Sequence, residues 1–355
     1  MNYGGTANHG GNVWQGGGPA EWLDYSANIR PGGPPEWVKK ALLGAMDNVA
    51  YYPQLSMERA KKALAVSLGL GQDQVLPTSG GISAIALATR LKVERVRIPA
   101  PAFLEYAQLS EQGGLSVERR PLLNGHTVLE PAQALGTDLT ENTLVWLCNP
   151  SNPAGAGFAP AQIEALLDIV EANNCWLAVD EAFIHYCPEL TVKDLIGVRQ
   201  RLLITGSMTK ILGIPGVRLG YLCGGDVLPH LAACQTPWEL NCFAEAVLLA
   251  LPDNLEDVRA EAERSARCRE SFRTELEKLG IFVYPSRSNF LLCDFGREVK
   301  PLEDFLKEKK ILVRQCMNFP GIDDGRHLRL AVKDEESNRR FIKSIEEAMQ
   351  CAENH

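Results

Sequence analysis

Between about residues 75 and 225, short apolar runs alternate with segments of helical period, and this alternation restricts the fold more than any other feature of the chain. Val75-Leu76 leads into Thr78-Ser-Gly-Gly81, and Ile82 to Leu91 reads as a helix. Val96-Arg-Ile98 ends at Pro99-Ala-Pro, and Leu144-Val-Trp-Leu-Cys148 ends at Asn149-Pro-Ser-Asn-Pro. Ala161 to Asn173 is helical. Cys175 to Val179 then ends at Asp180, and Leu202 to Thr205 ends just before Ser207. Strand and helix in alternation give an α/β architecture with a mostly parallel sheet. Ligands of such sheets gather beyond the carboxyl ends of the strands. The polar residues just after each apolar run are therefore the first candidates for a site.

The flanks differ. Residues 1–35 are rich in Gly, Asn and Pro and read as an arm of turns, with helix-compatible stretches at roughly 35–47 and 56–68. Leu255 to Leu279 is a long amphipathic pattern stopped by Gly280, and 281–350 alternates strand and helix more briefly. The expected organisation is an arm at 1–47 that joins a small domain, a large domain at 48–250, and the rest of the small domain at 251–355. At 355 residues the chain is long for a single core.

Net charge is −8, which argues against nucleic acid or an anionic membrane as the main partner. The start carries no basic region followed by an apolar stretch, and Asn142 to Ile163, although charge-free, is too rich in Pro, Asn and Gly for a membrane helix. The ten cysteines have no metal-ligand spacing, so no metal is expected and reduced thiols in a cytoplasmic protein are.

Three residues at strand ends point to one chemistry. Lys210 lies in Ser207-Met-Thr-Lys210, Asp180 follows Trp-Leu-Ala-Val, and Arg218 follows Gly213-Ile-Pro-Gly-Val. A lysine to link covalently, an acid for the pyridinium nitrogen and an arginine with hydroxyls for the phosphate are what pyridoxal 5'-phosphate (PLP) requires. Lys210 alone would read as a solvated charge, and Asp180 alone as a helix N-cap. Gly80, Gly81 and Ile82 form a glycine turn feeding a helix, which offers backbone N–H groups to a phosphate or is merely a turn. Ser207, Thr209 and Arg218 would complete that cup. Phe103 is placed to stack on a ring or to fill the core. Asn152 is placed to donate to the phenolic oxygen or to form an Asx-turn. Arg329, inside the apolar alternation Leu328-Arg-Leu-Ala-Val, faces a substrate carboxylate or lies on an edge strand, and Arg314 is a second inward cation.

These motifs resemble a known family. Asn149-Pro-x-Asn152-Pro, Asp180-Glu-Ala, Ser207-x-Thr-Lys210 and Arg218-Leu-Gly look like the fold-type I PLP enzymes around histidinol-phosphate aminotransferase. His9-Gly-Gly-Asn12, Asp24-Tyr-Ser-Ala-Asn28, Asp180-Glu-Ala-Phe183-Ile, Thr236-Pro-Trp238-Glu-Leu-Asn241 and Asn318-Phe-Pro-Gly321 are similar to the threonine-phosphate decarboxylase branch, which serves cobalamin synthesis. The resemblance spans essentially the whole chain. It implies that Lys210 links to the cofactor, Asp180 holds the ring nitrogen, Asn152 the phenolic oxygen, and Phe103 the ring face. It implies a cofactor-phosphate site of Gly80, Gly81, Ile82, Ser207, Thr209 and Arg218. Tyr52 would reach that phosphate from a neighbouring subunit, so a homodimer is implied. Arg329 would bind the substrate carboxylate, and Arg314 with His9 the substrate phosphate, beside Asn28 and Ile29. Phe183 stands where the aminotransferases usually carry tyrosine, in agreement with the decarboxylase branch. Ala154 replaces a usual threonine, and Arg30, in place of a common asparagine, adds a cation near the substrate arm.

The expected reaction is PLP-dependent decarboxylation of a small phosphorylated amino acid, threonine phosphate or serine phosphate. An aminotransferase would use nearly the same residues. A catalytically silent PLP-fold regulatory module is the alternative from another class.

Overall fold

The computed structural model describes residues 9–14 and 18–353. The first eight residues of the expected arm, and 15–17, lie outside the described residues. Seven strands form the central sheet: β1 (Val75–Thr78), β2 (Arg95–Ala100), β3 (Ser116–Pro121), β4 (Thr143–Cys148), β5 (Trp176–Asp180), β6 (Leu202–Ser207) and β7 (Gly220–Gly224). Their order is β1-β7-β6-β5-β4-β2-β3. All neighbours run parallel except β7, which is antiparallel to both β1 and β6. Every residue of β4 and β6 is buried, as strands covered on both faces require. Each large apolar side chain buried there contributes about 1.5–3 kcal/mol. An exposed pair such as Arg95–Glu94 contributes about 0–1 kcal/mol, so burial rather than surface charge holds the sheet.

A second, antiparallel sheet is built from β8 (Phe282–Val283), β9 (Phe290–Asp294), β10 (Arg314–Gln315) and β11 (His327–Ala331), in the order β8-β9-β11-β10. Helix α1 (Glu36–Gly44) is shorter than expected and gives way to a 3-10 turn at Met46–Ala50. Helix α2 (Gly81–Ala88) follows β1, and α3 (Glu105–Gln112) follows β2. The long amphipathic pattern is α4 (Leu255–Lys278).

Two main apolar cores follow from these layers. Tyr25 of the arm packs in the smaller core with Phe272 and Phe341 and donates its hydroxyl to Asn338 Oδ1 at 3.0 Å. Leu23 and Asp24 pair in parallel with Ile311 and Leu312. These contacts fix the segment Ser26–Asn28 against the gap between the two sheets. Val38 of α1 sits in the larger core, because α1 packs on the helix Cys242–Ala250. The sequence had assigned the whole of 1–47 to the smaller domain. Helix α4 runs between the cores, with Val258 in the larger and Phe272 and Leu276 in the smaller.

Among the described residues, no helix is long and apolar enough to cross a membrane.

Candidate active site

The carboxyl ends of β1, β2, β4, β5 and β6 open into a cavity of about 300 Å³, closed on the far side by the arm and by β10 and β11. Lys210 lies in the turn after β6, half-buried at the cavity wall. Its backbone carbonyl accepts from the Arg30 N–H at 3.0 Å. Burial, then the nearby Arg329 and Arg218 guanidiniums, push its ammonium down from 10.5 to about 8, against the pull of Asp180 and Glu105. A lysine so placed carries a substantial neutral fraction at mildly alkaline pH.

Asp180 ends β5 and is buried. Its Oδ1 accepts from the Ala182 N–H at 3.1 Å, and its Oδ2 from the Tyr106 hydroxyl. The first bond is the local turn contact that an N-cap reading anticipates, but the second carboxylate oxygen faces inward. Burial raises its pKa, opposed first by the Tyr106 hydrogen bond. A cationic N–H at this carboxylate would offset that cost.

The glycine turn behaves as a cradle. Gly81 and Ile82 line the cavity, while Gly80 stands just behind it at φ +78°. A Cβ on Gly80 would come within 2.7 Å of Arg218 Nη2, so the guanidinium closes over the turn only because the residue is glycine. The Ser207 and Thr209 hydroxyls are 2.7 Å apart at the same end. Exposed backbone N–H groups at the start of α2, two hydroxyls and a guanidinium make an anion site.

Arg329 is not on an edge. It lies in β11 between β9 and β10 and is the register partner of Arg314. It donates to Asn152 Oδ1 at 2.7 Å and to the Ser26 carbonyl at 2.8 Å, and its guanidinium lies 5.5 Å from the Phe290 ring centroid. Burial and then the neighbouring Arg314 lower its pKa to about 10. Arg314 donates to the Gln315 carbonyl and to Asn318 Oδ1. The bond to Arg329 occupies the Asn152 oxygen and leaves its amide N–H groups as donors.

Among the expected residues, Phe103, His9, Asn28, Asn152, Arg314 and Arg329 all line the cavity with Lys210 and Asp180. Ile29 does not. The turn closed by Ile29 N–H to the Ala27 carbonyl at 2.9 Å ends the cavity-facing segment at Asn28. Tyr52 also lies outside this chain's cavity. It is 82% exposed and packs on Trp238, with ring centroids 4.8 Å apart. Arg30 adds no cation to the substrate end, because Asp257 (2.8 Å) and Glu261 (3.4 Å) hold its guanidinium. Tyr106 and Glu105 were not anticipated. They open α3 directly beyond the strand-end loop that carries Phe103, so the rule that selected Phe103 reaches them as well.

Buried polar atoms at Arg329 Nε, Asn28 Oδ1 and Glu105 Oε2 have no hydrogen-bond partner. All three residues line this cavity, and orphans gathered in one place indicate a ligand. A buried acid, a lysine with a lowered pKa and an anion cradle fit PLP in chemistry and in relative position. The model for aminotransferase class I and II matches residues 20–345. The chain belongs to that family. The threonine-phosphate decarboxylase of Salmonella typhimurium is 32% identical over 361 residues, covering 95% of this chain and 95% of that protein. The histidinol-phosphate aminotransferase of Symbiobacterium thermophilum is 32% identical over 332 residues, covering 92% and 90%. The crystal structure of the histidinol-phosphate aminotransferase from Clostridium acetobutylicum is similar with a TM-score of 0.84, at 27% identity, over 93% of this chain and 99% of that one. The protein is thus a class I and II aminotransferase-family enzyme of the PLP-dependent fold, and PLP is its cofactor.

Proposed function

We propose that this enzyme decarboxylates L-threonine O-3-phosphate to (R)-1-amino-2-propanol O-phosphate. The observation that carries the reading is the pair Arg314 and Arg329, register partners on adjacent strands, both buried and both lining the cavity. Two inward guanidiniums suit a substrate with two anionic groups, a carboxylate and a phosphate. Arg329 is assigned the carboxylate and Arg314 with His9 the phosphate. The similarity to the Salmonella decarboxylase over 95% of both chains supports the same reading.

When bound, PLP supplies an electron sink for the pair released at the substrate α-carbon. The chain's residues do the rest. Lys210 Nζ would hold the cofactor covalently and, when free, would carry the proton that returns to the substrate Cα. Asp180, held by Tyr106 and the Ala182 N–H, would hold the ring nitrogen and favour its protonated form. Phe103 and Asn152, which line the same cavity, would hold the ring face and the phenolic oxygen. Arg329 orients the carboxylate, and the remote phosphate contacts supply orientation energy. Phe183 presents an apolar ring to the cavity, packed edge-on against Phe290 at 5.0 Å.

The functional unit in this reading is a homodimer. Leu43, Met46, Val49, Tyr51, Tyr52 and Leu55 are all more than half exposed, an apolar surface of the kind that partners cover. A second copy resting there brings its Tyr52 to the cofactor phosphate. A monomer in sedimentation at assay concentrations would contradict this.

A second reading, histidinol-phosphate aminotransferase, is favoured by the 32% identity to the Symbiobacterium enzyme. Parallel incubations separate the two. The PLP-loaded protein is given threonine phosphate, serine phosphate, or histidinol phosphate with 2-oxoglutarate, and products are read by NMR. Amino-propanol phosphate is expected. Glutamate from the third mixture alone would overturn the proposal.

The lysine also makes a pH prediction. Its pKa is lowered, so the amine is charged below about 8 and neutral above it. Covalent capture of PLP by the cofactor-free protein is therefore expected to speed up with a midpoint near about 8. Stopped-flow absorbance across pH checks it, and a midpoint near the ordinary 10.5 would contradict it.

A further inference from the structure

The cavity's charges are not all used by the reading above. Its cations are Lys210, Arg218, Arg314 and Arg329, joined by His9 when protonated, and its acids are Asp180 and Glu105. Asp180 answers to the ring nitrogen. Glu105 answers to nothing so far, and it stands at the end assigned to the substrate phosphate. Like charges side by side in a partly enclosed site repel. A bare carboxylate there opposes a phosphate dianion.

The position is nevertheless well defined. Glu105 is the first residue of α3, where the helix dipole favours an acid. Its Oε1 lies 3.1 Å from His9 Nε2. Its Oε2 is buried without a hydrogen-bond partner. Arg314 donates elsewhere, to the Gln315 carbonyl and to Asn318 Oδ1. A buried acceptor with no donor marks a donor that the ligand brings. Burial raises the Glu105 pKa, against the opposing pull first of His9 from the arm, then of its own backbone N–H at the start of α3, then of Arg314 from β10 and Lys210 from the turn after β6.

We propose that Glu105 and the substrate phosphate share one proton, so that this subsite selects an anion bearing hydrogen over one that is fully ionised. The proposal rests on the placement of the substrate phosphate at His9 and Arg314. One proton, brought by either partner, lies between Oε2 and a phosphate oxygen and turns the repulsion into an O–H···O bond. A phosphate monoester has its second pKa at about 6, so the proton is available near neutrality.

The test is calorimetric binding of inorganic phosphate and of sulfate to the PLP-loaded protein at about pH 6, where phosphate still carries an O–H and sulfate has none. Wild type is expected to bind phosphate about 100-fold more tightly. Glu105→Gln, whose amide can donate, is expected to bring the ratio close to unity by gaining sulfate. His9→Asn is expected to weaken both anions and keep the ratio, which separates proton sharing from a general loss of positive charge. Equal affinities in wild type, or an unchanged ratio in Glu105→Gln, overturn the proposal. The readout needs no turnover. A protein that distinguishes the two anions but releases no CO2 refutes the proposed reaction and leaves the shared proton intact.

Discussion

Lys210→Ala is expected to lower turnover by about 1,000-fold or more. The same variant is expected to lose the covalent, borohydride-reducible link to PLP. The two losses belong together, because one amine forms the link and returns the proton. Misfolding would not explain them. Burial depresses the lysine's pKa to about 8, so below that pH the folded state holds an ammonium against its preference. Removing the side chain removes that cost, and at neutral pH the cofactor-free variant is expected to melt no lower than wild type. Calorimetry and a turnover assay on the same preparation check both halves. Full biological function retained by a variant without turnover would instead favour a catalytically silent regulatory module that merely keeps the fold.

Arg329→Met is expected to reduce kcat/KM by about 100- to 1,000-fold, mostly through KM, while the absorbance of bound PLP persists. The guanidinium is held by Asn152 and the Ser26 carbonyl, so the substitution strips two buried acceptors of their donor as well as the site of its cation. Arg329→Lys is expected to recover only part of the loss, since one ammonium cannot keep both bonds and grip a carboxylate. A KM within about threefold of wild type in Arg329→Met would remove Arg329 from the substrate site.

The central sheet was legible because its strands declare themselves. Thr143–Cys148 and Leu202–Ser207 are buried along their whole length, and an unbroken apolar run bounded by turn residues has few other readings. Ser116–Pro121 was not legible. It is an edge strand carrying Glu118, Arg119 and Arg120, mostly exposed, so it has neither an apolar run nor a clear alternation. Positions at strand ends led to Lys210, Asp180, Arg218 and Phe103, because local pattern places them there. Arg329 was visible as a cation in an apolar alternation, but only the second sheet shows that it faces inward between β9 and β10. Arg30 shows where local reading fails. Its partners Asp257 and Glu261 lie more than 220 positions away on α4, and no local pattern records that meeting. Glu105 was missed for a related reason: an acid at the start of a helix reads as ordinary dipole compensation, and its free oxygen appears only when the arm and β10 close around it.

CO2 release from carboxyl-labelled threonine phosphate, by PLP-loaded protein with no amino acceptor present, tests the account most directly. Sustained release in step with formation of amino-propanol phosphate is the predicted result. No CO2, with glutamate formed once histidinol phosphate and 2-oxoglutarate are supplied, would contradict it and place the enzyme among the aminotransferases.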